Sequence, residues 1–369
     1  MAPEEVTRRA FLRRAGAGAA GVAIGGPALL AACSRSASRA REVRVYNEPL
    51  AIDDTTPKHF ELSTGIFLRY HEYTDPAAYL AREASVLRAH RDIGADVVVV
   101  PDGQTAKMIE AGWVRRLPVP PPGRRILPAF AGPRFDPGRR FSLPWSSTVI
   151  GLAFDRRRVH EPVRSASALF DPRFAGKVEL SADPAATLGL VLYASGDDPA
   201  AVTESQAAAA VQRIRGAVAS GQVRSFATTE YVDDLVSGRA LLAVARADEI
   251  RAALPLSPTL AFVVPREGGL LDSTNMVVPI GARNVEEAAV FIDYMFKPDP
   301  SSRLASFGSR VMPVRGALTS LEAIDPKSAL DHLVQPDPAV WSRLAIWGGT
   351  VATDRATSDF AALVASHAT

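Results

Sequence analysis

The chain has 369 residues, 47% of them hydrophobic, with 42 Lys and Arg against 40 Asp and Glu and a formal net charge of +2. Four Arg and two Glu fall within residues 1–33, so the remainder is about neutral, which argues against a nucleic-acid binder, whose surface needs a basic face. A single cysteine excludes an internal disulfide and a thiolate metal site; length and apolar content suffice for two lobes held together by their own cores.

Residues 1–33 read as an export signal. Arg8 and Arg9 form a twin-arginine motif, T-R-R-A-F-L from Thr7 to Leu12, ahead of an Ala/Gly-rich run from Ala15 to Ala32. Five glycines in that run, each costing about 1 kcal/mol against Ala in a helix, argue against a buried helix. The run ends in Leu30-Ala31-Ala32-Cys33, which resembles a lipobox with Cys33 as the acylated residue. Gly16-x-Gly18-x-x-Gly21 matches a dinucleotide-binding pattern, but no strand precedes it, so it carries no such meaning. Residues 34–42 contain almost nothing apolar and read as a tether. No later apolar run reaches the 18 residues a membrane helix needs.

From Val43 strands and helices alternate. Val43–Asn47 is a strand, 57–63 a helix, 66–70 a strand and 76–93 a helix with apolar residues at helical spacing. Asp96-Val97-Val98-Val99-Val100 reads as a strand buried on both faces, the mark of a mostly parallel sheet built from βαβ units. A proline-rich stretch, 118–122, and an irregular basic loop lead to a strand at 148–154, and a second α/β set follows: helices at 185–193 and 205–219 and a strand at 240–245. The stretch E-G-G-L-L-D-S-T-N-M-V-V-P, 267–279, recrosses between the sets, with Met276–Val278 as a short buried strand. Its polar residues Asp272, Ser273, Thr274 and Asn275 read as a satisfied turn or, on a sharper view, as one wall of a binding cleft. A helix at 285–296 and helical segments reaching His367 complete the chain.

Nothing marks an enzyme: the chain holds no His-Glu-x-x-His, no Walker loop after a strand and no Gly-x-Ser-x-Gly. Its six histidines are scattered, His59 and His71 reading as surface residues, so neither a metal site nor a cofactor is expected.

Five segments in order, F-S-L-P-W-S-S-T-V-I-G-L-A-F-D (141–155), L-F-D-P-R-F-A-G-K-V (169–178), E-Y-V-D-D-L-V-S-G (230–238), the stretch 267–279 and M-P-V-R-G-A (312–317), resemble the periplasmic spermidine/putrescine-binding proteins of ABC importers, in their actinobacterial lipoprotein form. The resemblance implies a type II periplasmic-binding-protein-like fold of two discontinuous α/β lobes joined by paired hinge strands, here 43–146 with 276–311 and 147–275 with 312–369. It also implies a monomer exported by the twin-arginine route, anchored by lipid at Cys33 on the outer face of the membrane, that hands a small solute to permease subunits.

In that family an aromatic box with a few carboxylates holds the amine, since ammonium groups over ring faces gain about 0.5–2 kcal/mol each. This chain departs from the box. Glu48 and Arg246 stand where tryptophans are usual, Ala51 near a usual tyrosine, Asp272 in place of a tryptophan, Thr274 in place of a carboxylate and Arg310 in place of a tyrosine; Asp183 keeps an acidic position and Ala186 loses one. The expected solute-facing set is Asn47, Glu48, Asp102, Trp145, Ser146, Asp183, Tyr231, Arg246, Asp272, Thr274, Asn275 and Arg310, with Trp145 and Tyr231 as the remaining aromatic walls or as hinge packing. A guanidinium within about 4 Å of an ammonium repels it by about 4 kcal/mol at an effective dielectric near 20, more than one ring contributes. Two outcomes stay open: Arg246 and Arg310 are neutralised by Asp272 and Glu48, or they face an anionic or zwitterionic solute. A third reading is a degenerate surface lipoprotein that binds no solute.

Overall fold

The structure, a computed structural model, describes residues 41–349 and 353–367. Arg8, Arg9, Cys33 and residues 34–40 of the expected tether lie outside the described residues. The tether also ends sooner than expected: Arg41 pairs with Glu287 at 2.9 Å and Glu42 already belongs to the first strand.

β1 (Glu42–Asn47) pairs in parallel with β2 (Phe67–Glu72) and β3 (Val97–Pro101). α1 (Thr56–Thr64) and α2 (Pro76–Arg88) make the crossovers, each with a proline in the first turn, where its missing N–H is no loss. Asp75 caps α2 by accepting the N–H groups of Ala77 and Ala78. α3 (Asp102–Glu110) leaves β3 directly. After short 3-10 turns comes β4 (Ser142–Asp155), fourteen residues long and buried throughout. Then follow β5 (Val178–Ser181), α4 (Pro184–Ser195), α5 (Glu204–Ala219), β6 (Val223–Ala227), α6 (Tyr231–Ser237), β7 (Leu242–Arg246), α7 (Ala247–Ala253), β8 (Leu260–Val263) and β9 (Gly269–Val277). α8 (Val285–Met295), α9 (Pro298–Gly308), α10 (Ala317–Ile324), α11 (Pro326–Ala329), α12 (Pro338–Trp341), β10 (Leu344–Ile346) and α13 (Asp354–His367) complete the described chain.

The strands form one curled sheet in the order β2-β1-β3-β9-β4-β7-β5-β6, with β10 beside β9 and β8 beside β4. Its centre is the antiparallel pair β4 and β9, in register from Ser142 opposite Val277 to Ile150 opposite Leu270. These are the two crossing strands, and by pairing with each other they make the two α/β sets continuous. A register shift between Pro144 and Ser146 absorbs the proline, which has no N–H for the ladder. The stretch 267–279 was expected to hold a three-residue strand after a polar turn; instead its polar residues lie inside the nine-residue β9, because partners on both edges satisfy their backbone groups.

Each half of the sheet is covered on both faces. Val97 and Val99 join a core with Val43, Phe60 and Phe291, whereas Val98 and Val100 face Tyr79, Leu87 and Met108. On the other side Leu152, Leu180 and Val244 pack against Leu188, Ile214 and Phe360, while Ala153, Ala243 and Ala245 face Tyr231 and Ile250. Met312, Leu321, Ala329 and Val334 join the core of Val43 and Phe291, so residues 312–334 pack with the first set and differ there from the expected 312–369 segment of the second; α13, through Phe360 and Leu363, packs with the second.

Candidate functional site

The cleft opens where the two halves meet over β4 and β9. The alternation of β9 splits its polar residues: Ser273 and Asn275 point into the protein and are buried, while Asp272 and Thr274 face the cleft. A cavity of about 430 Å³ is lined by Asn47, Glu48, Ser146, Asp183, Arg246, Asp272, Thr274, Phe307 and Arg310, among others. A second, of about 390 Å³, shares Glu48, Asp183, Arg246 and Arg310 and adds Asp248 and Glu249. A third, of about 230 Å³, adjoins through Pro101, Asp183 and Asp272 and is lined by Asp102, Ile150, Leu270 and Trp347.

Arg246 ends β7 and is held by carboxylates. Its Nη1 donates to Asp272, and its Nε lies 3.5 Å from both Asp248 and Glu249 in the first turn of α7. Burial opposes its charge, but Asp272, Asp248 and Glu249 outweigh that and hold its pKa above the ordinary arginine value. Arg310 pairs with Asp248 at 3.1 Å, and Asp248 also accepts the Thr148 hydroxyl at 2.6 Å. Asp248 consequently stays below the usual carboxylate range despite burial, through Arg246 and Arg310. Burial pushes Glu48 upward, opposed by Arg310 and Arg246.

Asp183 caps α4 by accepting the Ala186 N–H at 2.9 Å. Solvent reaches it from the cleft, yet the surrounding protein and the neighbouring Asp272 push its pKa up to about 6, against the Ala186 N–H and Arg246. Neither Glu48 nor Asp183 forms an ion pair with a described residue. Counted together, five carboxyl groups surround two guanidiniums in the first two cavities, an excess of three acids.

Under the third cavity runs a buried chain of hydrogen bonds. Asp102 accepts the Asn275 amide at 2.7 Å and the Ser273 N–H at 3.2 Å; the Asn275 oxygen accepts Nη1 of Arg139 at 2.9 Å. Burial pushes Asp102 up to about 7, opposed by Asn275 and Arg139.

The family model described as "Bacterial extracellular solute-binding protein" matches residues 58–329. The chain belongs to that family. This solute-binding protein is 25% identical to the putrescine/cadaverine-binding protein of Pseudomonas aeruginosa over 339 residues, covering 86% of this chain and 91% of that one. It is also 25% identical to spermidine/putrescine-binding periplasmic protein 1 of Haemophilus influenzae over 254 residues, 67% of each. Among solved structures, the spermidine/putrescine ABC transporter substrate-binding protein PotD from Streptococcus pneumoniae superposes with a TM-score of 0.74 at 20% identity, over 89% of this chain and 100% of that one, and establishes the two-lobed α/β fold.

The solute-binding protein brings together Asn47, Glu48, Ser146, Asp183, Arg246, Asp272, Thr274 and Arg310 around one cavity, with Asp102 on the adjoining one. Three expected members stand elsewhere. Trp145 is buried in the first core, stacked on Phe291 at 6.2 Å with its indole N–H donated to the Ala51 carbonyl, because the bulge at Pro144 turns it away from the cleft. Tyr231 is buried behind β7, where its hydroxyl donates to Glu249 and accepts the Arg246 N–H at 3.1 Å; it steadies Arg246 and walls nothing. Asn275 faces the interior, on the Asp102 chain. Of the two pairings in the first of the open outcomes, Arg246 with Asp272 is present, whereas Arg310 with Glu48 is replaced, since Asp248 holds Arg310.

Sequence reasoning missed Asp248, Glu249 and Phe307. The run Arg246-Ala247-Asp248-Glu249 at a strand-to-helix junction is a visible signal for the first two, since a helix start favours acids. For Phe307 the run Phe307-Gly308-Ser309-Arg310 ahead of Met312-Pro313 offers only proximity. The Arg139 in the loop expected to be irregular is fully buried, and nothing in its local sequence says so.

Proposed function

We propose that this chain captures a small organic cation of the polyamine type for an ABC importer, closing its two halves over the solute about β4 and β9. The observation that carries the reading is the excess of carboxyl groups in the cleft, with each guanidinium already paired and Glu48 and Asp183 left without an ionic partner among the described residues. Those two acids are the amine anchors, and Phe307 supplies a ring face at the lip. An anionic solute would compete with Asp272 and Asp248 for the guanidiniums and would meet the unpaired Glu48 and Asp183 beside them, which disfavours that alternative. The polyamine names of the relatives support the same class. Closure binds solute from both sides and so favours the shut form that a permease recognises. Binding and delivery require no catalysis.

The proposal includes export by the twin-arginine route, acylation at Cys33 and attachment as a monomer to the outer face of the membrane. Radiolabelled palmitate should enter the wild-type chain and not Cys33→Ser, and Arg8→Lys with Arg9→Lys should leave unexported precursor; label retained by Cys33→Ser removes the anchor from the proposal.

The solute class is tested by thermal shift with putrescine, spermidine, dicarboxylates and sulfonates. A ligand at 100 times its Kd stabilises the chain by about 2.7 kcal/mol. Amines should raise the melting temperature and the acids should not, and Glu48→Gln or Asp183→Asn should each weaken amine binding about tenfold, or about 1.4 kcal/mol. Stabilisation by an acid and by no amine refutes the class.

A further inference from the structure

Arg251 lies on α7, one turn beyond Asp248, and lines none of the three cleft cavities. Each of its three guanidinium nitrogens nevertheless donates a hydrogen bond. Nε donates to Asp331 at 2.7 Å, Nη2 donates to the Ser328 hydroxyl at 2.8 Å, and Nη1 donates to the Ser309 hydroxyl. α7 packs through Ile250 against Ala243, Ala245 and Leu260 of the second half, while Ala247 at its start joins the core of the first. All three partners belong to the segment that carries Val311, Ala329 and Val334 into the core of the first half. Arg251 thus adds a polar link between the two halves without lining the space where solute would sit.

The partners lead back to the cleft. Ser309 caps the C-terminal end of α9 with φ of 55°, a left-handed conformation uncommon for a non-glycine residue and favoured by a restraint on its side chain. The hydroxyl bond to Arg251 supplies such a restraint, and the next residue is Arg310, which reaches Asp248. Ser328 is buried and donates in turn to Asp325, which also accepts the Ser306 hydroxyl at 2.8 Å on α9, the helix that presents Leu304 and Phe307 to the cleft.

We infer that Arg251 is a clasp between the halves, a positioning residue that sets solute affinity by holding Ser309, and through it Arg310, against α7. The apparent Kd of a two-state receptor equals its intrinsic Kd divided by the fraction in the competent state, so a clasp that raises this fraction tightens every solute alike. The inference rests on the two-half reading proposed above, but its first readout needs no solute.

The test compares wild type, Arg251→Met and Arg251→Lys by small-angle X-ray scattering of the solute-free chain and by titration with putrescine and spermidine. Arg251→Met should increase the radius of gyration and raise both Kd values about fivefold with their ratio unchanged; Arg251→Lys, which keeps one of the three bonds, should fall between. Unchanged solute-free scattering overturns the clasp whatever the Kd values do. A changed putrescine-to-spermidine ratio overturns it too, because that marks a residue touching solute. If the chain binds neither amine, the reading of the solute class fails while the scattering still decides the clasp. Should Arg251→Met fail to fold, Arg251→Lys carries the same comparison.

Discussion

Arg246 is the residue on which the cleft turns, because three carboxylates converge on it and it reaches the solute space from the end of β7. Replacing it by Met leaves Asp272, Asp248 and Glu249 facing Arg310 alone. Breaking a fully buried pair costs 3–5 kcal/mol; solvent reaches this one, so urea unfolding of Arg246→Met should show a loss of about 2 kcal/mol. The paired exchange Arg246→Trp with Asp272→Trp is different, for it removes one charge of each sign and places two rings in the cleft. Each ring is worth about 0.5–2 kcal/mol to an ammonium, so polyamine affinity should rise about tenfold by calorimetry, and no rise means these positions do not face the solute. Phe307→Ala, by the same reasoning, should weaken amine binding about fivefold.

Among the elements, α4 is the one whose placement the site needs most, since its cap is Asp183. Gly189 lets it come close to β9: a Cβ there would lie 2.2 Å from Cδ1 of Leu270, one of the linings of the third cavity. Gly189→Ala should therefore cost about 1–3 kcal/mol by overpacking and weaken amine binding by displacing Asp183, despite the better helix propensity of alanine. Adding Leu270→Ala should recover part of the stability, and thermal melts of the two single variants and the double measure the coupling. The acidic pair Asp248 and Glu249 depends likewise on the abrupt passage from β7 into α7, which aims the first helical turn back at Arg246 and keeps Tyr231 behind it.

For the whole molecule, pH acts in opposite directions on stability and on solute binding. Asp102 titrates near 7 in the folded chain against 3.8 for an unperturbed aspartate, and Glu179 is likewise raised by burial and by Asp234. In that window the folded chain keeps protons the unfolded chain has released, so stability falls as pH rises from about 4 to about 7, by up to about 1.4 kcal/mol per pH unit for each such group. Asp155, held at about 2 by Arg157, adds the reverse dependence only in stronger acid. The melting temperature should accordingly be a few degrees higher at pH 5 than at pH 8. Amine affinity should instead fall as pH drops through about 6, where Asp183 loses its charge, and Glu48, also raised by burial, adds to the loss as it protonates. The α/β order, the doubly buried valine strand and the two crossings were all legible along the chain, since each depends on periodicity and on neighbours in sequence. Eight of the cleft residues were legible through the motif resemblance, but the fates of Trp145, Tyr231 and Asn275 were not. Which face of a strand meets solvent depends on register, and a bulge at Pro144 or an edge shared with β3 reverses it without any mark in the local pattern. The sequence by itself thus determined the elements and the two crossings, because composition and periodicity are properties of the chain. Only the tertiary structure decided that Asp248 takes Arg310, that Asp272 takes Arg246 and that Glu48 and Asp183 stay unpaired, because charge pairing depends on distances of a few ångströms between residues far apart in sequence.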